Sequence, residues 1–362
     1  MMKNLILNKD CLSYWLRQLR KERELIAPVK TSTGDYIFKS IEQIHKIALD
    51  DTPYIPSLKE FVFPQVEEMF AYSEKGISEQ KWTEKMVIFG ASPCDIAGIK
   101  LMERFYSNQT DPSYDLKHPN KFTLTNRNER VEDSYFISRR RNIIFIVIGC
   151  KSPEPTCFCD SLGSGPCLNS GFDVQLTDLG DRYFVQVGSS SGEEIVKDYL
   201  HLFEKAKKQD DDDQYEMVLS VRTKFAKRVN LEETRQKILS GKVSDSFWEK
   251  IGKRCFECGG CVYECPVCTC FNIVDKPEDK DKGKRLRIWD TCLFKGFTRM
   301  AGGNIPADKK AMRIKRWYFH KLVYYPEQFN QFGCIGCGRC AITCPGKIDL
   351  ATISHKINVE IK

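Results

Sequence analysis

The sequence has 362 residues, of which 41% are hydrophobic and 29% charged, so it is long enough for two folded domains. The net charge of +7 is modest, and basic and acidic residues are interleaved, which argues against a nucleic-acid partner. The N-terminus lacks the apolar stretch of a secretion signal, and no run of eighteen apolar residues predicts a membrane span. We therefore expect a cytoplasmic protein.

Seventeen cysteines are the unusual feature of the composition. In a long chain without a secretion signal, they favour metal binding in a reducing compartment over disulfide bonds.

The first half of the chain predicts a sheet with helices around it. An apolar stripe predicts a helix over residues 10–24, and residues 26–75 contain short extended runs broken by prolines. The continuous apolar runs 86–90 and 143–149 predict two buried strands, the first followed by a helix to about Tyr106. Together these patterns predict an N-terminal domain of α+β or α/β type with a mixed sheet.

Four cysteines follow the two buried strands closely. Because the carboxyl ends of parallel strands share one sheet edge, we expect these cysteines to meet there. They are Cys94, Cys150, Cys157 and Cys159. Spacing alone leaves open three interpretations of these four cysteines: the ligands of a [4Fe-4S] cluster, a zinc site, or a set of buried structural thiols. Cys167 could substitute for one of the four ligands but ranks lower.

The segment that follows predicts a hairpin, several helices and one exposed loop. Residues 174–187 alternate around a turn, and the glycines and serines of 188–192 precede a predicted helix that extends to about Lys207. Residues 210–213 are four aspartates, which predict an acidic surface loop. Two further helices are expected, one capped by Asn230 and one beginning at Ser244 or Ser246.

Two cysteine runs near the C-terminus have the spacing C-x2-C-x2-C-x3-C-P, which is typical of [4Fe-4S] ligands. A zinc site usually joins two separate pairs of cysteines around one ion, so eight cysteines in two such runs favour iron–sulfur over structural zinc. The first run comprises Cys255, Cys258, Cys261 and Cys265, and the second Cys334, Cys337, Cys340 and Cys344. We expect two clusters from these runs. Because iron–sulfur clusters near solvent are sensitive to oxygen, we also expect an anaerobic setting.

The 68 residues between the runs exceed what a compact ferredoxin needs, so we predict an α-helical dicluster ferredoxin domain with inserted segments. The predicted boundary divides the chain into domains 1–240 and 241–362. The insertion adds Cys268, Cys270 and Cys292. Two interpretations stay open: additional ligands completed by a non-thiolate group, and thiols that pack or hydrogen-bond near a cluster. We favour the second, because only three thiols are present and a cubane needs four ligands.

The motifs together resemble a known family, the iron–sulfur beta subunits of cytoplasmic sulfhydrogenases, which are [NiFe] hydrogenases, and the corresponding iron–sulfur subunits of anaerobic sulfite reductase. The resemblance covers nearly the whole chain. Its carriers include residues 93–96, 157–159, 171–173, 265–270, 289–292, 300–303 and 334–345. The set of Cys94, Cys150, Cys157 and Cys159 is similar to part of the family pattern, which favours a third cluster.

The resemblance implies an electron-transfer subunit without a catalytic site of its own. Its implied partners are a flavin- and NAD(P)-binding reductase subunit, together with a catalytic subunit holding nickel–iron or sirohaem. We identify no catalytic residue, since the five histidines are scattered and no acid–base pair emerges. The alternatives are a stand-alone cluster-based reductase of sulfur compounds or disulfides, and a zinc-stabilised scaffold.

Overall fold

The computed structural model describes residues 4–48, 56–79, 81–107, 109 and 132–362, within which twelve strands form two sheets. The strands in chain order are β1 Leu5–Asn8, β2 Glu24–Lys30, β3 Tyr36–Ser40, β4 Val66–Ser73, β5 Gly76–Glu79, β6 Met86–Ala91, β7 Ile143–Ile148, β8 Val174–Asp178, β9 Arg182–Val187, β10 Phe203–Lys205, β11 Phe271–Asp279 and β12 Lys282–Trp289.

The larger sheet has eight strands in the order β10-β1-β9-β8-β7-β6-β2-β3. Its centre is parallel, because β2, β6, β7 and β8 run in one direction, whereas the remaining neighbours are antiparallel. Strands β6 and β7 are buried along almost their whole length, as expected for continuous apolar strands covered on both faces. The predicted mixed sheet is therefore confirmed.

Helices cover both faces of this sheet and make up much of the C-terminal part. The longer ones span Lys9–Glu22, Pro93–Tyr106, Ser134–Arg141, Ser190–Lys197, Lys208–Thr223, Leu231–Leu239, Asp245–Lys253, Lys310–Phe319 and Leu350–Glu360. Four short helices span Lys59–Val62, Gly260–Tyr263, Tyr325–Phe329 and Arg339–Thr343, and a π-helical turn covers His320–Tyr324. Among the described residues, no helix combines the length and apolar character needed to cross a membrane.

The second sheet joins distant parts of the sequence, in the order β11-β12-β4-β5. Strands β11 and β12 form a hairpin between the two cysteine runs, and β12 pairs antiparallel with β4. The α-helical description of the C-terminal domain is therefore not confirmed. The division of the chain near residue 240 stays a prediction, and that position lies between the helices Leu231–Leu239 and Asp245–Lys253.

Two local predictions in the middle of the chain were wrong. The helix after the glycine–serine segment ends at Lys197, and a short 3-10 turn then leads into β10, so it does not reach Lys207. The four aspartates are not a loop, because they lie in the first turns of the helix Lys208–Thr223. Carboxylates stabilise the positive end of a helix, and Asp210 also accepts from the Arg182 guanidinium at 3.0 Å.

Candidate iron–sulfur centres

The two C-terminal cysteine runs fold into loops of the same conformation. In each loop, the residues two and four positions after the first cysteine have positive φ angles; they are Glu257 (56°) and Gly259 (77°), and Gly336 (70°) and Gly338 (74°). In each loop, the first of these residues donates its backbone N–H to the sulfur of the first cysteine at 3.3 Å. A short helix then follows. Such loops turn three thiols towards one point, as a cubane requires.

The first thiol group takes its fourth member from the other run. One cavity between the loops and the helix Lys310–Phe319 is lined by all four of its thiols, which are Cys255, Cys258, Cys261 and Cys344. Burial, together with the nearby Cys344 and Cys255 thiols, raises the pKa of Cys261 to about 12. Metal binding to such a thiol must displace a proton, so we expect cluster binding to be coupled to proton release.

The second thiol group likewise takes its fourth member from the other run. Cys265, the last cysteine of the first run, faces Cys334, Cys337 and Cys340. Burial raises the pKa of each of the latter three thiols, and the nearby Cys265 raises it further. In two-cluster ferredoxins the fourth cysteine of each run binds the other cluster, and the arrangement here fits that pattern.

The third thiol group lies at the edge of the larger sheet, where its four cysteines are brought together. Cys94 begins the helix after β6, Cys150 follows β7, and Cys157 and Cys159 lie in the loop beyond. Burial is the main cause that raises the pKa of Cys150 to about 12 and of Cys157 to about 11, and the Cys94 thiol adds to both shifts. The geometry therefore makes these four residues available as one ligand set, and their role stays a prediction.

The second and third groups are adjacent, because the loop that carries Cys157 and Cys159 packs on the second cysteine run. The Phe158 N–H donates to the Gly336 carbonyl at 2.8 Å, and the Ser164 hydroxyl donates to the Ile335 carbonyl at 2.5 Å. The Cys157 thiol donates to the Cys337 carbonyl at 3.4 Å. The three thiol groups thus form a row with the second group in the middle.

Replacing Gly338 by alanine should weaken this contact between the loops. A Cβ atom at this position would lie 2.6 Å from the carbonyl carbon and oxygen of Thr156, and its φ of 74° disfavours any side chain. We expect a loss of about 1–3 kcal/mol in stability, measured as a lower thermal unfolding temperature of the anaerobic protein. Gly296 is the matched control, because a Cβ atom added there would have nothing within 4 Å. Equal effects of the two alanines would contradict the close approach.

Two buried cations lie among the thiols of the row. The Lys321 ammonium donates to the Cys265 sulfur at 3.4 Å and to the Gly333 carbonyl at 2.9 Å. Arg339, in the second cysteine run, forms a buried ion pair with Asp95 at 2.8 Å, and Asp95 is the residue after Cys94. Positive charge near anionic ligands favours their charged form, so both cations suit a site that holds thiolates.

Four further cysteines lie close to the groups without completing them. Cys167 is near Cys150, but its sulfur lies 3.8 Å from the Thr177 hydroxyl. Cys268 hydrogen-bonds to Cys265, and Cys270 hydrogen-bonds to Cys292. The role of Cys268, Cys270 and Cys292 stays a prediction.

The donor sets fit iron–sulfur clusters better than single zinc ions. Within the described ranges, no three His, Cys, Asp or Glu side chains converge closely enough to hold one metal ion. Zn–S bonds of about 2.3 Å bring all the thiolates close together around one atom. A cubane instead binds each thiolate at a different iron, which suits four thiols around a cavity.

Sequence reasoning did not single out Arg339 or Lys59, which are buried basic residues. A signal for Lys321 exists, since it is a lone lysine in the aromatic and apolar stretch 317–325. Arg339 occupies a spacer position of the cysteine run, where an arginine carries no distinctive pattern. Lys59 lies in the stretch 26–75, where the sequence pattern predicts only short extended runs broken by prolines. It is 2% exposed and donates to the Val262 carbonyl at 3.2 Å.

Residues 254–348 match the family model described as a 4Fe-4S dicluster domain. The chain is 29% identical over 352 residues to sulfhydrogenase 2 subunit beta of Pyrococcus furiosus, covering 97% of both chains. It is 24% identical over 288 residues to the F420-dependent formate dehydrogenase subunit beta of Methanocaldococcus jannaschii, covering 75% of this chain and 62% of that relative. The resemblance to sulfhydrogenase beta subunits is thus confirmed, whereas that to anaerobic sulfite reductase stays a prediction.

Proposed function

We propose that this chain, similar over 97% of its length to a sulfhydrogenase beta subunit, is the electron-transfer subunit of an oxidoreductase complex. The observation that carries the proposal is the row of three thiol groups, each with four cysteines. A row of one-electron centres suits transport of electrons across a protein rather than chemistry on a substrate.

Each thiol group would hold one [4Fe-4S] cluster. The first group would use Cys255, Cys258, Cys261 and Cys344, the second Cys265, Cys334, Cys337 and Cys340, and the third Cys94, Cys150, Cys157 and Cys159. When bound, such a cluster supplies one-electron transfer at a potential that its surroundings set. The chain's own contribution is to hold the thiolates, to bury them and to provide backbone N–H donors, such as those of Glu257 and Gly336.

The first group lies at the protein surface, which makes it suited to exchange electrons with a partner. Cys258 is exposed, and the neighbouring Phe256 side chain is 71% exposed. The second group is more enclosed, since Cys334, Cys337 and Cys340 have mostly buried surroundings. An open end and a shielded middle are what a relay between two proteins needs.

We infer that one partner is a flavin- and NAD(P)-binding reductase subunit, whereas the other is a catalytic subunit of hydrogenase or sulfite reductase type. The beta-subunit names of both relatives support membership of an oxidoreductase complex. Anaerobic co-purification from the native cell is the decisive experiment. Co-purified redox subunits are expected, with at least about 12 iron per chain from three cubanes. A chain that purifies alone and without iron would contradict the proposal.

Replacing Lys321 by methionine should lower the reduction potential associated with the second thiol group. A buried positive charge stabilises the reduced form, which carries the additional electron, by up to about 4 kcal/mol at close range. The measurement is an anaerobic redox titration followed by electron paramagnetic resonance. Lys315→Met, which removes a lysine 38% exposed and paired with Asp245, is the control. Identical midpoints in all three proteins would show that the Lys321 charge has no such role.

A further inference from the structure

A large cavity lies beside the third thiol group. Its volume is about 760 Å³, which is within the range of small-molecule binding sites. One wall is the loop 162–164, where the Ser164 N–H donates to the Cys159 carbonyl at 3.1 Å. Another wall is one face of the helix Pro93–Tyr106, which carries Cys94 in its first turn. A molecule in this cavity would therefore lie at the end of the row opposite the first group.

The charged side chains around the cavity include more basic than acidic groups. The six are Lys100, Glu103, Arg104, Glu132, Arg140 and Arg141. Both carboxylates face an arginine, since Glu103 pairs with Arg140. Glu132 lies 4.0 Å from Arg141. Among the described residues, no carboxylate pairs with Lys100, which donates to the Ser170 hydroxyl at 3.3 Å, or with Arg104, which donates to the Gln331 side chain at 3.2 Å. Two positive charges are therefore left for a ligand to balance.

The positions of Lys100 and Arg104 favour an anion between them. The two residues are four positions apart on the helix Pro93–Tyr106, so they lie on the same face, one turn from each other. Like charges at this spacing repel each other. A bound anion would remove this repulsion, and the cavity is where such an anion could lie, because both side chains line it.

The segment 171–173, which is one of the motifs that carry the family resemblance, supports this side of the cavity. Gly171 has a φ of 90°, and a Cβ atom added there would lie only 2.3–2.4 Å from the last atoms of the Lys100 side chain. The Asp173 carboxylate is buried and lies 3.8 Å from the Arg140 guanidinium. The motif therefore makes room for one cavity cation and helps to place another, whereas the three thiol groups give it no role.

We propose that this cavity binds a small organic molecule that carries a phosphate group, and that Lys100 and Arg104 bind the phosphate. A phosphate monoester carries about 1.5–2 negative charges near pH 7, which matches two unbalanced cations. A carboxylate would balance only one of them. Arginine binds phosphate oxygens through a fixed fork of N–H donors, and lysine contributes a compact point charge. The organic part of the molecule would fill the rest of the cavity.

A solvated cleft with no ligand explains these observations less well. A lysine without a partner usually extends freely into water, whereas the Lys100 side chain lies against Gly171 and donates to Ser170. A solvated cleft also gives no reason for a glycine at position 171. The proposed site is additional to the relay, because it uses none of the twelve cysteines assigned to the three thiol groups.

The test measures the binding of phenyl phosphate to the anaerobically purified full-length protein by isothermal titration calorimetry. One molecule should bind per chain, at least about tenfold more tightly than benzoate, which has the same ring but a single charge. Lys100→Gln and Arg104→Gln should each weaken binding about tenfold, because each removes a charge-assisted hydrogen bond. Lys356→Gln is the matched control, because Lys356 is 39% exposed on the helix Leu350–Glu360 and does not line the cavity.

Gly171→Ala tests the placement of Lys100 without removing a charge. Its added Cβ atom should displace the Lys100 ammonium group and weaken binding as Lys100→Gln does. Lys100→Gln decides the question where Gly171→Ala does not fold, since the Lys100 side chain is exposed.

Three outcomes would overturn the inference. They are a native protein that does not bind phenyl phosphate, benzoate binding of equal affinity, and a loss in Lys356→Gln as large as that in Lys100→Gln. Iron content separates this site from the relay. Lys100→Gln should keep the native iron content while losing affinity for phenyl phosphate.

Discussion

Replacement of Cys337 by alanine should remove about four iron atoms per chain and much of the stability of the C-terminal region. Cys337 is enclosed in the second thiol group, next to the third, so its loss leaves the middle of the row without a complete ligand set. Because the metal is bound only by the folded chain, the free energy of cluster binding also contributes to the free energy of unfolding. Iron analysis and thermal unfolding under argon measure the two effects.

Each of the first two thiol groups takes its fourth cysteine from the other run, and single substitutions can test this assignment. Cys344 lies in the second run but lines the cavity of the first thiol group. Cys344→Ala should therefore change the same paramagnetic signal as Cys255→Ala. Cys265→Ala should likewise change the same paramagnetic signal as Cys337→Ala, although Cys265 belongs to the first run.

Two results would contradict these assignments. A Cys344→Ala spectrum that matches that of Cys337→Ala would show that each run binds its own cluster. An iron content that Cys337→Ala leaves unchanged would exclude the second group as a metal site. Cys11→Ser controls for the general effect of removing a thiol, since Cys11 packs against the core of the N-terminal sheet.

The cysteine spacing predicted the most specific features of the site because the constraint is local. Three thiols that bind one cubane must lie within a few residues, so the runs beginning at Cys255 and Cys334 were identifiable at once. The parallel strands β6 and β7 were equally visible, since they are continuous apolar segments. Their placement side by side then explains why Cys94 and Cys150 lie at one edge.

The features that the sequence did not reveal depend on contacts between distant residues. The pairing of β12 with β4 joins Arg287 and Glu67, which are 220 positions apart, in a buried ion pair. The local sequence pattern of neither strand predicts which strand it pairs with. The aspartates near Asp210 were misassigned for a related reason, because their helix is stabilised by Arg182 on another element.

Replacing Arg339 by methionine should destabilise the junction between the second and third thiol groups. Arg339 is 6% exposed and Asp95 2% exposed, so the substitution leaves a buried carboxylate without its main counter-charge. Breaking a buried pair typically costs about 3–5 kcal/mol, which corresponds to a fall of about 5–10 °C in the unfolding temperature. Circular dichroism under anaerobic conditions measures this change.

The double variant Arg339→Met/Asp95→Asn tests the cause, because it removes both charges and should recover part of the loss. Arg228→Met is the surface control, since Arg228 is 68% exposed and its pair with Asp160 should contribute less than about 1 kcal/mol. On gradual heating of Arg339→Met, iron should leave the second and third groups before the first, because the ion pair joins only those two. If Arg339→Met unfolded at the same temperature as the native protein, this ion pair would not hold the junction together.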